Sequence, residues 1–328
     1  MQKPFAAVSL GAVRHNVRAL SLRAGVPVIA VVKDDAYGHG AEVIAHAIAD
    51  MVSLFAVSSV EEGARLRIAG IGQGVLVLTP LLSKQEAERA AFYDLTVTAA
   101  SFETLALCKG LRVHLAVNTG MNRYGFSPMQ IGEACRLARE LGIEAEGVFS
   151  HFYDASDASA VRAQTRAFSE SARFVRTYFP HAMRHISATG GILAGGATFD
   201  AVRPGLGLYG YVPPLFANDL GLIPAVKVYA FVAQSVTPFG GGAGYAAAPK
   251  RFSALHTLCA GYGDGFFRSG GLGAVGKLCM DACVREGKLP FGTQVCVLDD
   301  AAVYAREHGT TAYEVLTSLR RLTKPSDR

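Results

Sequence analysis

The amino-acid sequence predicts an α/β protein, built as a closed (β/α)8 TIM barrel followed by a smaller, mainly β C-terminal domain. Eight short apolar, β-branched runs recur along the first two thirds of the chain, and the segments between them have helical spacing. After about Leu222 the pattern changes to strand-like segments joined by glycine- and proline-rich turns. Strands that alternate with helices indicate parallel pairing through right-handed crossovers.

The eight apolar runs are the predicted barrel strands. Eight strand–helix units over roughly 200 residues fit a closed barrel better than an open doubly wound sheet, which is the alternative architecture. The predicted strands are Val26–Val32, Leu54–Ser58, Gly74–Leu78, Leu95–Ala99, Arg112–Val117, Ile143–Ser150, His185–Ala188 and Ala201–Leu208.

Helix-start signals lie between these strands. A serine three residues before a glutamate predicts a capping box, and a serine before a proline predicts a cap followed by the first helical residue. The longest predicted helix runs from about Ala158 to Tyr178. The predicted starts are Ser59 with Glu62, Ser83 with Glu86, and Ser127-Pro128 ahead of a helix over Met129–Leu141.

The predicted domains are residues 8–222 for the barrel and residues 223–328 for the mainly β domain, with residues 1–7 as a candidate addition to the second. The strands predicted in the second domain are Ala225–Val236, Ser253–Ala260 and Gln294–Leu298. Only Thr311–Leu322 is predicted to be helical there.

Composition limits the classes of partner. The 328 residues are 50% hydrophobic and 18% charged, which is enough apolar material for a large core. The net charge of +5 is mild, and no stripe of lysine and arginine predicts nucleic-acid binding. A modest positive excess suits small anionic ligands such as phosphates and carboxylates.

Cysteine spacing and hydropathy predict a cytoplasmic protein without a metal. The six cysteines form no CxxC pair and no zinc spacing, so free thiols in a reducing compartment are expected. The first residues lack the apolar core of a signal peptide, and no run approaches the roughly 18 apolar residues that span a bilayer. We therefore expect no membrane partner.

Two glycine-rich segments resemble nucleotide-binding motifs and are rejected. Gly205–Gly210 satisfies GxGxxG, but it leads into Tyr211-Val212-Pro213-Pro214, where no helix can begin to receive a pyrophosphate. Gly271–Lys277 nearly spells a P-loop, yet Leu278 replaces the hydroxyl residue that would bind magnesium.

Lys33 is the strongest candidate for chemistry. It ends the first predicted strand, and active sites of barrels are built at the C-terminal ends of their strands. An amine in a partly apolar barrel mouth loses proton affinity and becomes competent for Schiff-base chemistry. On position alone, a solvated loop lysine would be the better interpretation.

The surrounding motif favours a catalytic role for Lys33 over a solvated loop lysine. Val31-Val-Lys33-x-x-Ala-Tyr37-Gly-His-Gly40 resembles the pyridoxal-phosphate signature of the alanine racemase family, and the similarity extends from Val13-Arg-His-Asn16 to Tyr313-Glu-Val-Leu316. The resemblance implies a cofactor-binding barrel followed by a β domain. It also implies pyridoxal phosphate as cofactor, a small amino acid as substrate, and a head-to-tail homodimer with active sites shared between subunits.

The resemblance also assigns residues to the cofactor. These match motifs such as Thr119-Gly-Met-Asn-Arg123, Ser150-His151 and Arg203-Pro-Gly205. The implied cofactor-binding residues are Lys33 through a Schiff base, Tyr37, Thr189 and Tyr313 at the phosphate, His151 against the pyridine ring, Arg203 at the pyridine nitrogen, and the backbone of Gly205 and Leu206 at the phosphate.

Racemisation of L-alanine to D-alanine needs one base on each face of the α-carbon. The resemblance implies Lys33 and Tyr245 as these bases, with Arg123 pairing with the substrate carboxylate or orienting the tyrosine. A cation such as Arg123 would lower the tyrosine pKa from its reference value of about 10. Tyr262 in Gly261–Gly265 and Met280 in the Cys-Met-Asp segment match substrate-binding motifs.

Several positions depart from the family pattern. Ala116 stands where the family often has a carbamylated lysine, Asn118 replaces an aspartate, and Ala188 replaces an asparagine. Tyr245 is assigned through a gapped match in a glycine-rich loop. These departures leave a racemase of serine or another amino acid as an alternative, together with a racemase-like cofactor-binding protein that lacks the activity.

Two further classes fit less well. A barrel decarboxylase of basic amino acids sets an acid against the pyridine nitrogen, whereas this chain has Arg203. A pyridoxal-phosphate carrier is a bare barrel, whereas this chain has the Gly261–Gly265 and Cys279–Asp281 segments. Arg123 as a surface charge, His151 as a core histidine, and Tyr262 and Tyr313 as packing aromatics are each reasonable alone, but their shared order argues against coincidence.

Overall fold

A computed structural model describes residues 3–239, 241–247 and 252–322 of the chain. The chain divides into two compact units. The barrel unit comprises Gly11–Ala36 and Ala41–Ile223, and the sheet unit comprises Met1–Leu10, Tyr37–Gly40 and Pro224–Arg328. Residues 1–2 and 323–328 of the predicted domain ranges lie outside the described residues.

The described elements are as follows. The strands are β1 (Phe5–Val8), β2 (Ile29–Val31), β3 (Leu54–Val57), β4 (Gly74–Val77), β5 (Thr96–Ala99), β6 (Arg112–Ala116), β7 (Ala145–Phe149), β8 (Met183–His185), β9 (Val226–Val236), β10 (Gly242–Ala243), β11 (Ala246–Ala247), β12 (Leu255–Leu258), β13 (Cys283–Glu286) and β14 (Gln294–Leu298). The helices are α1 (Leu10–Ala24), α2 (Lys33–Gly38), α3 (Ala41–Ile48), α4 (Val60–Ile68), α5 (Lys84–Phe92), α6 (Phe102–Leu107), α7 (Ile131–Glu140), α8 (Ala158–Tyr178), α9 (Thr189–Leu193), α10 (Ala301–Glu307) and α11 (Ala312–Ser318).

The barrel unit is a curled parallel sheet with the order β2-β3-β4-β5-β6-β7-β8. Its two edges are joined by the segment that follows β8, because Ala201 bridges His185 and Val202 bridges Val28, both in parallel. The strands are buried on both faces, which explains why their sequences read as continuous apolar runs. The predicted (β/α)8 fold class is therefore confirmed.

The eighth predicted strand, Ala201–Leu208, is too long, since its bridges are confined to Ala201 and Val202. Backbone hydrogen bonds to the neighbouring segments continue only as far as Pro204, whose carbonyl accepts from the Val31 N–H, and Leu206–Tyr209 forms a 3-10 turn instead. Proline at position 204 has no N–H to donate to a ladder, so the strand cannot continue past it. The seventh predicted strand is also displaced, since it begins at Met183 and ends at His185 rather than at Ala188.

Two of the predicted helix caps are half right. Ser59 Oγ and Ser83 Oγ accept the N–H groups of Glu62 and Glu86, as a capping box requires. Each glutamate, however, returns its carboxylate to the residue before the serine, at Ser58 and Leu82. The long predicted helix is confirmed as α8, whose N-cap Asp157 accepts from two backbone N–H groups.

The predicted cap at Ser127-Pro128 is wrong. Gln130 is the N-cap of α7, which begins at Ile131. Ser127 instead closes a turn, because its carbonyl accepts from the Gln130 backbone and its N–H donates to the Gln130 side chain. That turn satisfies the same polar groups locally, so the helix begins three residues after Pro128.

Asn16 ties the first barrel helix to the last segment of the unit. This fully buried side chain donates to the carbonyls of Leu208 and Ile223 and accepts from the N–H of Ile223. A buried amide with its donors and acceptor paired stabilises one arrangement of the chain, because any shift would leave polar atoms unsatisfied.

The sheet unit contains a five-stranded antiparallel sheet, in which β9 pairs with β1, β12 and β14 and β12 pairs with β13. Buried and exposed positions alternate along β9, as expected for a sheet with one solvated face. The sequence predicted neither β13 nor α10. The signal for α10 was Asp300, whose carboxylate caps the helix by accepting from Ala302 and Val303.

A separate two-stranded hairpin, β10–β11, carries Tyr245 at its tip. Gly242 pairs with Ala247 and Ala243 pairs with Ala246, which leaves Gly244 and Tyr245 as the turn. Gly244 has a φ of 59°, the left-handed conformation that tight hairpins favour at glycine.

In the part of the chain that is described, none of the helices has the length and apolarity to cross a membrane.

Candidate active site

Lys33 begins a left-handed turn directly after β2. The φ angles of Asp34, Asp35, Ala36 and Tyr37 are 52°, 54°, 53° and 53°, and Gly38 follows at 80°. A left-handed helical conformation costs a non-glycine residue roughly 1–2 kcal/mol, so such consecutive residues persist only where other contacts hold them. Backbone strain of this kind is concentrated at functional sites.

Three hydrogen bonds hold the turn within the barrel unit. The N–H of Ala36 donates to the carbonyl of Val32 at 2.9 Å. The carboxylate of Asp35 accepts from the N–H of Ala41 at 2.9 Å, and the N–H of Asp34 donates to Oε1 of Glu62 at 2.7 Å. The backbone of the turn is therefore fixed at both ends, and this fixes the direction in which the chain leaves the strand at Lys33.

Arg203 is a buried cation inside the barrel unit, 4% exposed. Its Nη1 donates to His185 Nδ1, its Nη2 donates to the carbonyl of Ser150 at 2.6 Å, and the guanidinium lies 5.1 Å from the centroid of the Phe149 ring. Burial, and then repulsion from Arg123, lower the pKa of Arg203 to about 9, which leaves it charged at neutral pH. Its described hydrogen bonds all come from Nη1 and Nη2.

His185 and His114 extend this network into the barrel interior. Arginine only donates, so His185 Nδ1 must accept and His185 Nε2 must carry the proton. That Nε2–H donates to His114 Nδ1 at 2.8 Å, and the Phe149 ring stacks on His185. Burial, with repulsion from Arg203, lowers the pKa of His114 to about 3 and holds that of His185 well below its usual value. Both rings are neutral.

His151 is affected by three cations of the barrel unit. Its Nδ1 is 3.3 Å from Arg203 Nη2. Burial is the largest cause that lowers its pKa to about 3, followed by repulsion from Arg203, Arg123 and Lys33. The barrel unit thus places Lys33, Arg123 and Arg203 close enough to His151 for their charges to act on it. A neutral imidazole beside three cations favours an anionic ligand.

The loop that carries Arg123 is held by Asn118, not by a partner of the arginine. Asn118 Oδ1 accepts from the N–H groups of Gly120 and Asn122, and its amide donates to the Asn122 side chain. Arg123 lies 5.7 Å from the Tyr124 ring and forms no ion pair with the carboxylates of the described residues. The guanidinium is exposed and available to an external carboxylate.

Gln164 connects that loop to the loop after β7. This buried side chain donates to Thr119 Oγ1 at 3.0 Å and to the His151 carbonyl at 2.9 Å, and it accepts from the Tyr153 N–H. Thr119 Oγ1 also lies 2.7 Å from Ser150 Oγ. The loops of Arg123 and His151 are therefore held against one another.

The other predicted cofactor-binding residues of the barrel unit are Thr189, Gly205 and Leu206, which lie near Gly207 in a closely packed segment. Thr189 is buried, and its Oγ1 accepts from the N–H of Gly207 at 3.0 Å. A Cβ at Gly207 would lie 2.9 Å from the Thr189 methyl group, so only glycine fits there. The N–H groups of Gly205 and Leu206 have no acceptor among the described residues, which leaves two backbone donors side by side.

In the sheet unit, the two predicted phosphate tyrosines lie near each other. The ring centroids of Tyr37 and Tyr313 are 6.2 Å apart. Tyr37 is buried, and burial raises the pKa of Tyr313, so its hydroxyl remains protonated and can donate to an anion. Gly38 allows its segment to pack closely against α11, because a Cβ there would collide with the Leu316 carbonyl oxygen.

The motifs of Tyr262 and Met280 also pack together in the sheet unit. The N–H groups of Tyr262 and Gly263 donate to the carbonyls of Cys279 and Met280. Asp264 closes its own turn by accepting from the Gly261 N–H at 2.9 Å. This pairing gives both motifs a structural role and presents the Met280 side chain, 55% exposed.

Tyr245 has a cation beside it that the sequence did not predict. The guanidinium of Arg268 lies 5.7 Å from the Tyr245 ring centroid and 5.8 Å from that of Tyr262. Arg268 follows Gly261–Gly265 by three residues, but nothing in its local pattern distinguishes it from a surface arginine.

His114, His185 and Gln164 were missed for a similar reason, since each lies inside an ordinary strand or helix pattern. No group of three or more histidine, cysteine, aspartate or glutamate side chains in the described ranges could hold a metal ion.

The neutral histidine pair predicts a loss of stability at mildly acidic pH. His114 has a folded pKa below its ordinary value, so the unfolded chain binds the proton more readily between pH 6.5 and about 3. Each such histidine destabilises the fold by about 1.4 kcal/mol per pH unit below 6.5. We expect the stability difference between the wild type and His114→Asn to shrink at that rate from pH 6 to pH 4.5, measured by urea unfolding.

His181→Asn replaces an exposed histidine and serves as the control, whose stability difference should stay constant over the same range. A wild-type advantage over His114→Asn that does not change with pH would show that His114 does not titrate in this way.

Comparisons with known proteins agree with this arrangement. The sequence model of the family described as "Alanine racemase, N-terminal domain" matches residues 8–213. A protein named alanine racemase from Deinococcus deserti is 32% identical, and the match covers 97% of this chain and 96% of the relative.

Solved structures give the same result. The crystal structure of alanine racemase from Streptomyces lavendulae has a TM-score of 0.87 at 29% identity, covering 97% of this chain and 95% of that one. Alanine racemase from E. faecalis has a TM-score of 0.89 at 26% identity, covering 98% and 97%. The chain therefore belongs to the alanine racemase family, a family of isomerase enzymes.

Proposed function

We propose that this chain is a pyridoxal-phosphate-dependent racemase that converts L-alanine to D-alanine, with Lys33 and Tyr245 as the two bases. The observation that carries the proposal is the position of Lys33, which follows a barrel strand at a strained turn. Its charge, with those of Arg203 and Arg123, contributes to lowering the pKa of His151. Strain and clustered cations at a strand end are features of an active site rather than of a solvated loop.

The residues of the barrel unit fit pyridoxal phosphate. The ring nitrogen of the cofactor would need a donor, and the buried Arg203 offers its Nε–H, because its described hydrogen bonds all come from Nη1 and Nη2. Its phosphate needs N–H donors, and Gly205 and Leu206 offer two adjacent ones. Its aldehyde needs an amine, which Lys33 supplies. Thr189 and the tyrosines Tyr37 and Tyr313 stay in the proposal as further phosphate ligands.

When bound, the cofactor acidifies the α C–H of the attached amino acid by withdrawing electrons into its ring. Arg203 would offer the ring nitrogen a hydrogen bond and keep that nitrogen unprotonated, which would limit electron withdrawal and so suppress competing reactions such as transamination. His151, held neutral, packs beside the same site without adding a fourth charge.

Proton transfer on the two faces of the α-carbon is assigned to Lys33 Nζ and Tyr245 Oη. One group removes the proton and the other returns a proton to the opposite face, which inverts the configuration. We assign the positioning of the Tyr245 ring to Arg268, whose guanidinium lies 5.7 Å from the ring centroid in the same chain, and leave Arg123 for the substrate carboxylate.

We also propose a homodimer in which each active site takes Lys33 from one subunit and Tyr245 from its partner. Support comes from the sheet unit, where Tyr245 is 69% exposed and Met280 is 55% exposed. Large apolar side chains left exposed on one chain are typical of surfaces that a partner covers. A cytoplasmic location, without nucleic-acid or membrane partners, stays a prediction.

The pocket around the substrate is proposed to tolerate more than alanine. Ala116 is small and buried, and Asn118 is engaged within its own loop rather than with Arg123. An apolar pocket discriminates one methylene by only about 1–3 kcal/mol, so serine is a reasonable second substrate. The alternative is a racemase-like protein that binds the cofactor without this activity.

Kinetics on a panel of amino acids tests the proposed function. We expect the highest kcat/KM for L-alanine, measurable turnover of L-serine and none of L-lysine, with products separated by chiral chromatography. Because general bases contribute roughly 10²–10⁴-fold, Lys33→Ala and Tyr245→Phe should each lower kcat by at least about 100-fold. Cofactor-loaded protein that turns over no amino acid would favour the binding-protein alternative.

Mixing two inactive variants tests the shared site. In a hybrid dimer of Lys33→Ala and Tyr245→Phe, one site has both bases and the other has neither. Random exchange of a 1:1 mixture makes half of the dimers hybrid, so we expect about a quarter of wild-type activity.

The control for this experiment mixes Lys33→Ala with the double variant Lys33→Ala/Tyr245→Phe, which can form no intact site. Hybrid dimers that form, as seen by mass spectrometry, yet stay inactive would contradict a shared site.

A further inference from the structure

Glu62 connects two neighbouring loops at the rim of the barrel unit. It lies in the first turn of α4, and its own N–H is held by Ser59 Oγ at 3.2 Å. Its Oε1 accepts from the N–H of Asp34 at 2.7 Å. Its Oε2 accepts from both the N–H and the Oγ of Ser58, at 2.7 and 2.8 Å.

These distances are those of charge-assisted hydrogen bonds, which are stronger than neutral ones. The carboxylate does not complete the capping box that the sequence predicts within α4. It crosses instead from the loop after β3 to the loop after β2, a separation of 28 residues along the chain. Because β2 and β3 are parallel neighbours, their C-terminal ends lie side by side and one side chain can join them.

The residue that Glu62 holds is the first of the left-handed run. Asp34 has a φ of 52°, and the next three residues share this conformation. Lys33, immediately before it, takes its direction from that turn. Such a conformation reverts to a right-handed or extended one unless an interaction opposes the change.

We propose that Glu62 is a positioning residue for Lys33, whose carboxylate stabilises the strained turn and so aims the lysine amine at its aldehyde partner. This inference rests on the proposed function for its catalytic meaning. The hydrogen bond by which Glu62 stabilises the turn lies within the barrel unit, and its effect can be measured without a cofactor.

The first measurement is hydrogen exchange on the protein without cofactor, read by mass spectrometry on the peptide that spans residues 33–40. In Glu62→Ala, we expect the Asp34 amide to exchange roughly 10- to 100-fold faster than in the wild type, because its acceptor is lost. Glu62→Gln keeps one oxygen for Asp34 but places an N–H₂ group near the Ser58 N–H, so it should fall between the two.

The second measurement is the rate at which added pyridoxal phosphate becomes attached to Lys33, trapped with borohydride at timed intervals. We expect the order wild type, Glu62→Gln, Glu62→Ala, with at least a tenfold span. The matched control is Glu61→Ala, which removes the adjacent carboxylate of the same helix turn. Glu61 is exposed and pairs with Arg89 at the surface, so this variant should behave as the wild type in both measurements.

Thermal unfolding separates positioning from general stability. Glu62→Ala with wild-type exchange at residues 33–40 and wild-type attachment rates, whatever its melting temperature, would overturn the proposal. Faster exchange across many distant peptides would also overturn it, because the effect would then be global. If the wild type attaches no cofactor at Lys33, the proposed function fails, while the exchange data still decide whether Glu62 holds the turn.

Discussion

The chain leaves β2 through a turn that L-amino acids avoid, and the placement of Lys33 depends on what holds that turn. Four consecutive non-glycine residues with φ near 53° carry a conformational cost that other contacts must offset. The compensation comes from the carbonyl of Val32 and the carboxylates of Asp35 and Glu62. The turn after Lys33 thus depends on contacts within its own loop and on the contact of Glu62 with the neighbouring loop.

Positive charge is the second constraint on the site. Arg203 is buried without a carboxylate partner among the described residues, and repulsion from Arg203, Arg123 and Lys33 helps to keep His151 neutral. Carbonyl groups, neutral imidazoles and the Phe149 ring stabilise the arginine, but none of them carries a counter-charge. A ligand with phosphate and carboxylate groups would supply that counter-charge.

The sequence predicted the barrel well where burial determines the pattern, as in the apolar strands β2 to β6 and in α8. It failed where one residue changes the local rule. Pro204 ended the eighth strand early, and the polar Arg285 and Glu286 interrupted the apolar pattern by which β13 could have been predicted. For the proposed site, the family motifs predicted roles for Lys33, Arg123 and Arg203, and these roles stay predictions. The left-handed turn and the His114–His185 pair were not predictable, because the partners lie 28 and 71 residues apart and meet only in the folded chain.

The most direct test of this account is the chemical identity of the residue that binds the cofactor. Protein reconstituted with pyridoxal phosphate would be reduced with borohydride, digested, and mapped by mass spectrometry for the phosphopyridoxyl group. The account predicts a single dominant adduct on Lys33 that is absent from Lys33→Ala. An adduct on another lysine, or a reconstituted wild type with no adduct, would contradict it.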